Sequence, residues 1–379
     1  MKTIYFDNAA TTAIRESVVD KMSEIMKNNF GNPSSTHSYG RQSKALVESS
    51  RKRIASHFNV SAAEIIFTSG GTEADNLVLR SAVKDLGVTE IISTKIEHHA
   101  VLHTLDELKT EFGISVQYLN VNSNGDIDVE QLTELLASPK KQLVSLMHIN
   151  NEIGNKLDLK GIATLCKAND ALFHSDTVQS VGHYKLDLQE IPIDYLAASA
   201  HKFHGPKGVG FAFIRKNSGL RASIFGGEQE RGLRAGTESI HNIVGMDEAL
   251  DLAYQNLDDE RKHIEGLKTY FIDQLKNTFS DVSFNGQSES IEQSTYTLVN
   301  VCLPIAPEKA GMLHFQLDLK GIACSKGSAC QSGSSQNSHV LTEILDEEHL
   351  QRPSVRFSFS KYNTKEEVDY VIDVLKEFV

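Results

Sequence analysis

A chain of 379 residues, 40% apolar and 23% charged, is long enough for two domains of ordinary size and needs no disulfides to hold its core. With 38 Lys+Arg against 50 Asp+Glu its net charge is −12, which argues against broad nucleic-acid binding through phosphate neutralisation. No apolar run of about 18 residues is present to suggest a membrane span, and the opening MKTIYFDNAATT lacks the character of an export or transit signal, so a cytoplasmic location is expected.

Short apolar runs rich in β-branched residues alternate with amphipathic stretches. Strands are predicted at 64–68, 90–93, 115–119, 143–147, 172–174, 195–198 and 208–214, and helices at 72–83, 100–111, 129–136 and 159–168. This alternation reads as a layered α/β sheet, mostly parallel. In such sheets ligands bind beyond the carboxyl ends of the strands. Two long charged helices at 239–256 and 258–277 look like a bridge to a second α/β pattern. That pattern has a strand at 297–302, a helix at 307–317, a strand at 322–325, a Gly/Ser-rich loop to about 336, a strand at 355–360 and a last helix at 365–378. The domain boundary is expected near residue 256.

Three motifs sit just after predicted strands. Ser69-Gly70-Gly71-Thr72 leads from a strand into a helix. Glycine lets backbone approach a ligand closely, and a helix N-terminus attracts phosphate. Thr72 is placed to cap the helix or to donate to a phosphate oxygen, although a Gly-Gly-Thr turn alone is most often a plain capped turn. Ser199-Ala200-His201-Lys202 follows the strand at 195–198. A lysine at the end of a buried strand is costly unless it is paired or chemically used, for example by a covalent bond to a carbonyl cofactor; the bland alternative is a surface loop lysine. Asp176 ends another short apolar strand. It is suited either to a helix cap or to holding a pyridinium nitrogen charged. The three together favour a cofactor site more than any one does.

Four cysteines, Cys166, Cys302, Cys324 and Cys330, form no C-x-x-C pair, so neither a metal ribbon nor a thioredoxin-like site is expected and the thiols read as reduced. Cys166 and Cys302 read as core packing, and Cys324 as a strand-end packing residue. Cys330 lies in a polar Gly/Ser-rich stretch where packing does not explain a cysteine, which makes it a candidate nucleophile.

Nearly end to end, from Tyr5-Phe6-Asp7-Asn8-Ala9-Ala10-Thr11-Thr12 to about Phe378, the sequence resembles the cysteine desulfurases of the class V aminotransferase group. The resemblance is carried, in order, by Gly31-Asn32-Pro33-Ser34-Ser35, Ser69-Gly70-Gly71-Thr72-Glu73, Glu97-His98, His148-Ile149-Asn150-Asn151-Glu152-Ile153-Gly154, Asp176 to Gln179, Ser199-Ala200-His201-Lys202, Arg234-Ala235-Gly236-Thr237 and Gly327-Ser328-Ala329-Cys330. It implies the pyridoxal 5'-phosphate (PLP) fold type I. A large domain at 15–256, with a mostly parallel seven-stranded sheet between helices, would stand beside a smaller α/β domain made of 1–14 and 257–379, which carries the cysteine loop at about 325–336.

The resemblance also implies roles. Lys202 would hold the cofactor covalently and act as general base. Asp176 would pair with the ring nitrogen, and Gln179 with the phenolic oxygen. His98 would stack on the ring and handle a substrate proton. Gly71, Thr72, Ser199 and His201 would bind the phosphate, with Thr237 lent across a homodimer interface. Asn32, Asn151 and Arg234 would clamp the substrate carboxylate, a task suited to the forked guanidinium, and Asn151 would also contact the cofactor. Cys330 would take sulfur from L-cysteine as a persulfide and release L-alanine. Neighbouring His99 reads instead as a helix-face residue and His204 as structural.

The long loop resembles the group that hands sulfur to protein acceptors, whether for iron–sulfur assembly or for tRNA or cofactor thiolation. Ser325-Lys326 departs from the two serines common in relatives. The sequence ends without the C-terminal tail with which bacterial housekeeping relatives dock a scaffold protein, so docking of that kind is not expected. Selenocysteine lyase, a PLP aminotransferase or lyase, and an idle partner-binding member are the alternatives. The set Lys202, Asp176, His98 and Cys330 favours desulfuration.

Overall fold

A computed structural model describes residues 3–306, 310–326 and 338–378. Strand β1 (Ile4–Tyr5) and helices α1 (Glu16–Asn28) and α2 (Ser38–His57) precede the alternating part of the chain. There follow β2 (Ile65–Thr68), α3 (Gly71–Leu86), β3 (Glu90–Ser93), α4 (His99–Phe112), β4 (Ser115–Tyr118), α5 (Val129–Leu136), β5 (Gln142–Ser145), α6 (Leu159–Ala168), β6 (Leu172–Asp176), β7 (Tyr195–Ser199) and β8 (Gly210–Ile214). Helices α7 (Ile240–Gln255) and α8 (Leu257–Thr278) lead to β9 (Ser283–Phe284), β10 (Leu298–Cys302), α9 (Leu313–Leu319), β11 (Ile322–Ala323), α10 (His339–Ile344), α11 (Glu347–Gln351), β12 (Ser354–Ser358) and α12 (Lys365–Leu375).

The seven-stranded sheet has the order β2-β8-β7-β6-β5-β3-β4, and β8 alone runs against its neighbours. Strands buried on both faces need apolar residues at successive positions. Here those positions divide between two layers. Phe67, Val144, Phe173 and Phe211 face a core shared with α2, α6 and α7, whereas Ile66, Leu143, Tyr195 and Ala212 face one shared with α3 and α4.

A further core gathers both ends of the chain. Ile4 and Phe6 pack with Phe271, Val299, Phe357 and Val371, and the rings of Phe6 and Phe359 meet edge-on at 5.0 Å. Its strands form the antiparallel set β12-β10-β9 and the parallel pair β1-β11.

Most predicted elements lie where periodicity put them. Of the helix expected at 307–317, residues 307–309 lie outside the described residues, Ala310 is helical, and a helix runs over Leu313–Leu319. The strand expected from 208 begins at Gly210, because Gly208 turns the chain at φ +79°. The last helix ends at Leu375 rather than at 378.

The register decides where the site forms. Gly210 pairs with Thr68 on one side and Ser199 on the other, so the carboxyl ends of β2 and β7 come level at one edge of the sheet. A Cβ on Gly210 would lie 2.2 Å from Ala198 O and 2.8 Å from Gly70 Cα; glycine lets the two strand ends close up.

Candidate active site

The first corner is the turn from β2 into α3. Gly70 is the N-cap, with φ +153°, and the helix starts at Gly71. No side chain caps it, so the capping role open to Thr72 is not taken up and its hydroxyl stays in the first turn. The opening N–H groups of a helix have no partner within it and carry the positive dipole end. A Cβ on Gly71 would lie 2.5 Å from Val178, which shows how closely this helix start presses on the segment after β6.

The second corner is formed by the ends of β6 and β7. Asp176 closes β6, is buried, and accepts a hydrogen bond from Val178 N at 2.9 Å. Burial pushes its carboxyl above the usual range while His98 and Lys202 pull it back down. Lys202, in the turn after β7, donates through Nζ to the carbonyls of Ala9 at 2.5 Å and Ala10 at 2.8 Å. Gln179 Nε2 donates to the same Ala9 carbonyl at 2.9 Å.

His98 is the N-cap of α4, with Nδ1 accepting from Ala100 N at 3.1 Å. Burial, the largest influence, holds its ring below the ordinary histidine value. With Nδ1 an acceptor, the neutral ring carries its proton on Nε2. His201 Nδ1 lies 3.1 Å from Thr11 Oγ1, and burial pulls its ring down to about 4.

These groups meet in one cavity of about 250 Å³, walled by Gly71, Thr72, His98, Asn151, Asp176, Gln179, Ser199, His201 and Lys202. Other predicted residues stand outside it. Asn32 is exposed, its Oδ1 accepting from Ser34 N at 2.9 Å, and Thr237 is exposed. Arg234 pairs with Glu73 through bonds of 2.8 and 3.2 Å and is not in the wall. Cys330 lies outside the described residues. Cys166 and Cys302 are buried, and burial pushes the thiols of Cys166 and Cys324 up to about 12.

The wall also holds Asp75, His339 and Arg356, which the sequence did not single out, together with Glu152 of the Asn-Asn-Glu motif and His99, read from sequence as a helix-face residue. Arg356 is 1% exposed; Nη1 donates to Asn151 O at 2.6 Å and Nη2 to Asp7 Oδ1 at 2.9 Å. Its Nε has no hydrogen-bond partner among the described residues. Alternation along β12 was the available signal. Val355 and Phe357 face the core, so Arg356 shares the other face with two serines, a face usually read as solvent but here turned to the cavity.

Residues 4–371 match the family described as Aminotransferase class-V. The chain belongs to this family. The class-V match runs through every core described above, not the seven-stranded sheet alone. Among curated relatives, "Cysteine desulfurase IscS" of Dictyoglomus turgidum is 39% identical over 383 residues, covering 100% of this chain and 95% of that protein. "Putative cysteine desulfurase IscS 1" of Bacillus subtilis is 41% identical over 384 residues, covering 99% of each. A solved structure titled "NifS-like protein" superposes on this class-V chain with a TM-score of 0.90 at 34% identity, covering 99% of both chains.

Proposed function

We propose that the cavity holds PLP and that this class-V chain is a cysteine desulfurase, which passes the sulfur of L-cysteine to Cys330 as a persulfide and releases L-alanine. One observation carries the reading: a lysine, a buried carboxylate and a helix N-terminus border the same cavity. They answer the three polar features of PLP, its aldehyde, its ring nitrogen and its phosphate. The hydroxyls of Thr72 and Ser199 and the ring of His201 complete a donor set suited to the phosphate. When bound, PLP supplies an aldehyde that takes the substrate amine and a ring that accepts the electron pair from Cα.

The protein does the rest. Lys202 would hold the cofactor through its aldehyde and, when free, would move the Cα proton through Nζ. Asp176 would stabilise positive charge at the ring nitrogen, and Gln179 would meet the phenolic oxygen. His98, its proton on Nε2, would contact the ring and exchange a proton with the substrate. Arg356, the cavity's guanidinium among the described residues, receives the substrate carboxylate with Asn151. The Cys330 thiolate then attacks the substrate sulfur: a sulfur–sulfur bond forms, the carbon–sulfur bond breaks, and the carbon fragment gains a proton and leaves as alanine.

Asn32, Arg234 and Thr237 are proposed to serve the site of a second copy. The exposure of Phe30 (75%) and Phe225 (77%) near them supports a homodimer face. The two-ended core supports a division into a large domain at 15–256 and a small one at 1–14 and 257–379. A protein acceptor for the sulfur, in iron–sulfur assembly or thiolation, and a cytoplasmic setting complete the reading. Among the described residues no helix is long and apolar enough to cross a membrane.

The test is incubation with PLP and L-cysteine, with and without reductant, following alanine and the mass of the Cys330 peptide. Alanine with a one-sulfur adduct on Cys330 is expected. A keto product without an adduct would move the chain to the aminotransferase or lyase reading.

A further inference from the structure

Strand β2 lies at one edge of the seven-stranded sheet, with β8 on its inner side. An open edge leaves backbone N–H and C=O groups with no neighbouring strand to pair them. Here side chains meet those groups. Arg51 Nη1 donates to Ile65 O, Glu230 Oε2 accepts from Phe67 N, and Glu73 Oε2 accepts from Ser69 N, each at 2.8 Å. The side chains are linked in turn. Glu230 meets Arg51 with two bonds of 2.5 and 2.8 Å, and Glu73 meets Arg234. Alternate residues 65, 67 and 69 are thus held from the start of the strand to the phosphate turn that follows it.

Glu230 needs an explanation. Its backbone is left-handed at φ +47°, as are those of Arg231 at +60° and Gly232 at +78°. A side chain of this kind is costly there and persists only where the surroundings enforce it. Its carboxylate is buried against an equally buried guanidinium, and burying such charges is costly unless their hydrogen bonds are all used. The left-handed turn drives the carboxylate inward and sends the chain back out. Leu233 N donates to Glu230 O at 3.1 Å, Ala235 N donates to Ile224 O at 3.2 Å, and Thr237 beyond them is exposed. The segment 224–237 is therefore fastened at two points, Glu230 and Arg234, to the strand end that forms the phosphate turn.

We propose that Glu230 is a positioning residue acting on two sites at once: it holds the phosphate turn of its own chain, and it holds the loop that offers Arg234 and Thr237 to a second copy. This rests on the reading of the cavity as a PLP site and of those two residues as lent across a homodimer. One set of bonds supports both the turn and the loop. Loosening it in one copy therefore weakens the hold on the cofactor in both, which is a coupling between the two sites.

Pairs of differently tagged full-length copies test this. In the first pair one copy carries Glu230→Gln and the other Lys202→Ala, so the covalent cofactor band comes from the copy whose own turn is loosened. In the second a parent copy is joined to one carrying both changes, so the band comes from an intact turn completed by a loosened loop. Parent with Lys202→Ala is the control pair. PLP affinity is read by titrating that band, and sedimentation of the same samples shows that the pair is intact. Weakening of roughly 5- to 150-fold is expected in both arrangements. Loss in the first pair alone would make Glu230 a local support and overturn the coupling. Affinity within about twofold of the control in both would overturn the positioning role altogether. Should the Glu230→Gln copy fail to fold, Glu73→Gln, which breaks the link to Arg234 in the same row, takes its place with the same expectation. A control pair with no covalent band would instead refute the PLP reading, and a monomeric parent that forms the band would refute the lending of Arg234 and Thr237; the coupling falls with either.

Discussion

Arg356→Gln removes a guanidinium held rigidly in the cavity wall by Asn151 and Asp7. The group has more N–H donors than those two bonds use, and Nε has no other partner among the described residues, so a carboxylate can be met by two parallel bonds. Hydrogen bonds to charged groups contribute about 1.5–3 kcal/mol each, so losing the pair costs roughly 3–6 kcal/mol. At about 1.4 kcal/mol per tenfold, kcat/KM for L-cysteine should fall by roughly 10²–10⁴. Asp7 also loses its cation, so a stability loss of about 1–3 kcal/mol should accompany the change. Arg356→Lys keeps the charge but not the fork and should fall in between. The assay is alanine formation against L-cysteine concentration, with the cofactor absorbance and the melting transition measured on the same samples. A kcat/KM within about tenfold of the parent, with band and fold intact, would refute the assignment.

Lys268 is fully buried, with Nζ donating to Ser294 Oγ at 2.7 Å and Thr295 O at 2.8 Å, and burial pulls its ammonium down to about 7 from 10.5. Between those values the unfolded chain binds a proton that the native chain lacks, so stability should rise with pH by up to roughly 1.4 kcal/mol per unit. Lys268→Met should flatten that rise and be the more stable protein at neutral pH; parallel denaturation curves at pH about 7 and 9 for both proteins would contradict this. Gly210→Ala places a Cβ against the backbone of Ala198 and Gly70 and should weaken PLP affinity roughly tenfold or more, read by absorbance titration. Unchanged affinity would mean that the phosphate turn shifts at no cost.

Periodicity located β3, α5 and α6 to the residue because each carries its own apolar pattern between clear breakers. It missed α2, and the reason is chemical. The buried face of that helix includes Gly40, Ser43, Ser50 and Arg51, which do not register as an apolar stripe. Arg51 is buried there because Glu230, far along the chain, meets it with two hydrogen bonds. The direction of β8 was equally hidden, since strand pairing across the sheet is non-local. At the site, Lys202, Asp176 and the glycine turn were legible because each follows a strand. Arg356 was not, because only the tertiary fold turns its face of β12 toward the cavity. His98 as a helix cap was likewise invisible, since the cap depends on ring geometry.

The pairing of the first residues with the last strand sets an order of assembly during synthesis. Ser358 N donates to Phe6 O at 2.7 Å, and Asn8 Nδ2 reaches Ser358 O at 2.9 Å across 350 positions of chain. The carbonyls of Ala9 and Ala10 that hold Lys202 belong to this same stretch, made well before Arg356. A nascent chain can bury the seven-stranded sheet as it emerges, since domains fold as units during translation. Its substrate pocket stays incomplete until β12 has left the ribosome. Premature termination between α7 and that strand should therefore leave the seven-stranded sheet folded but the pocket inert.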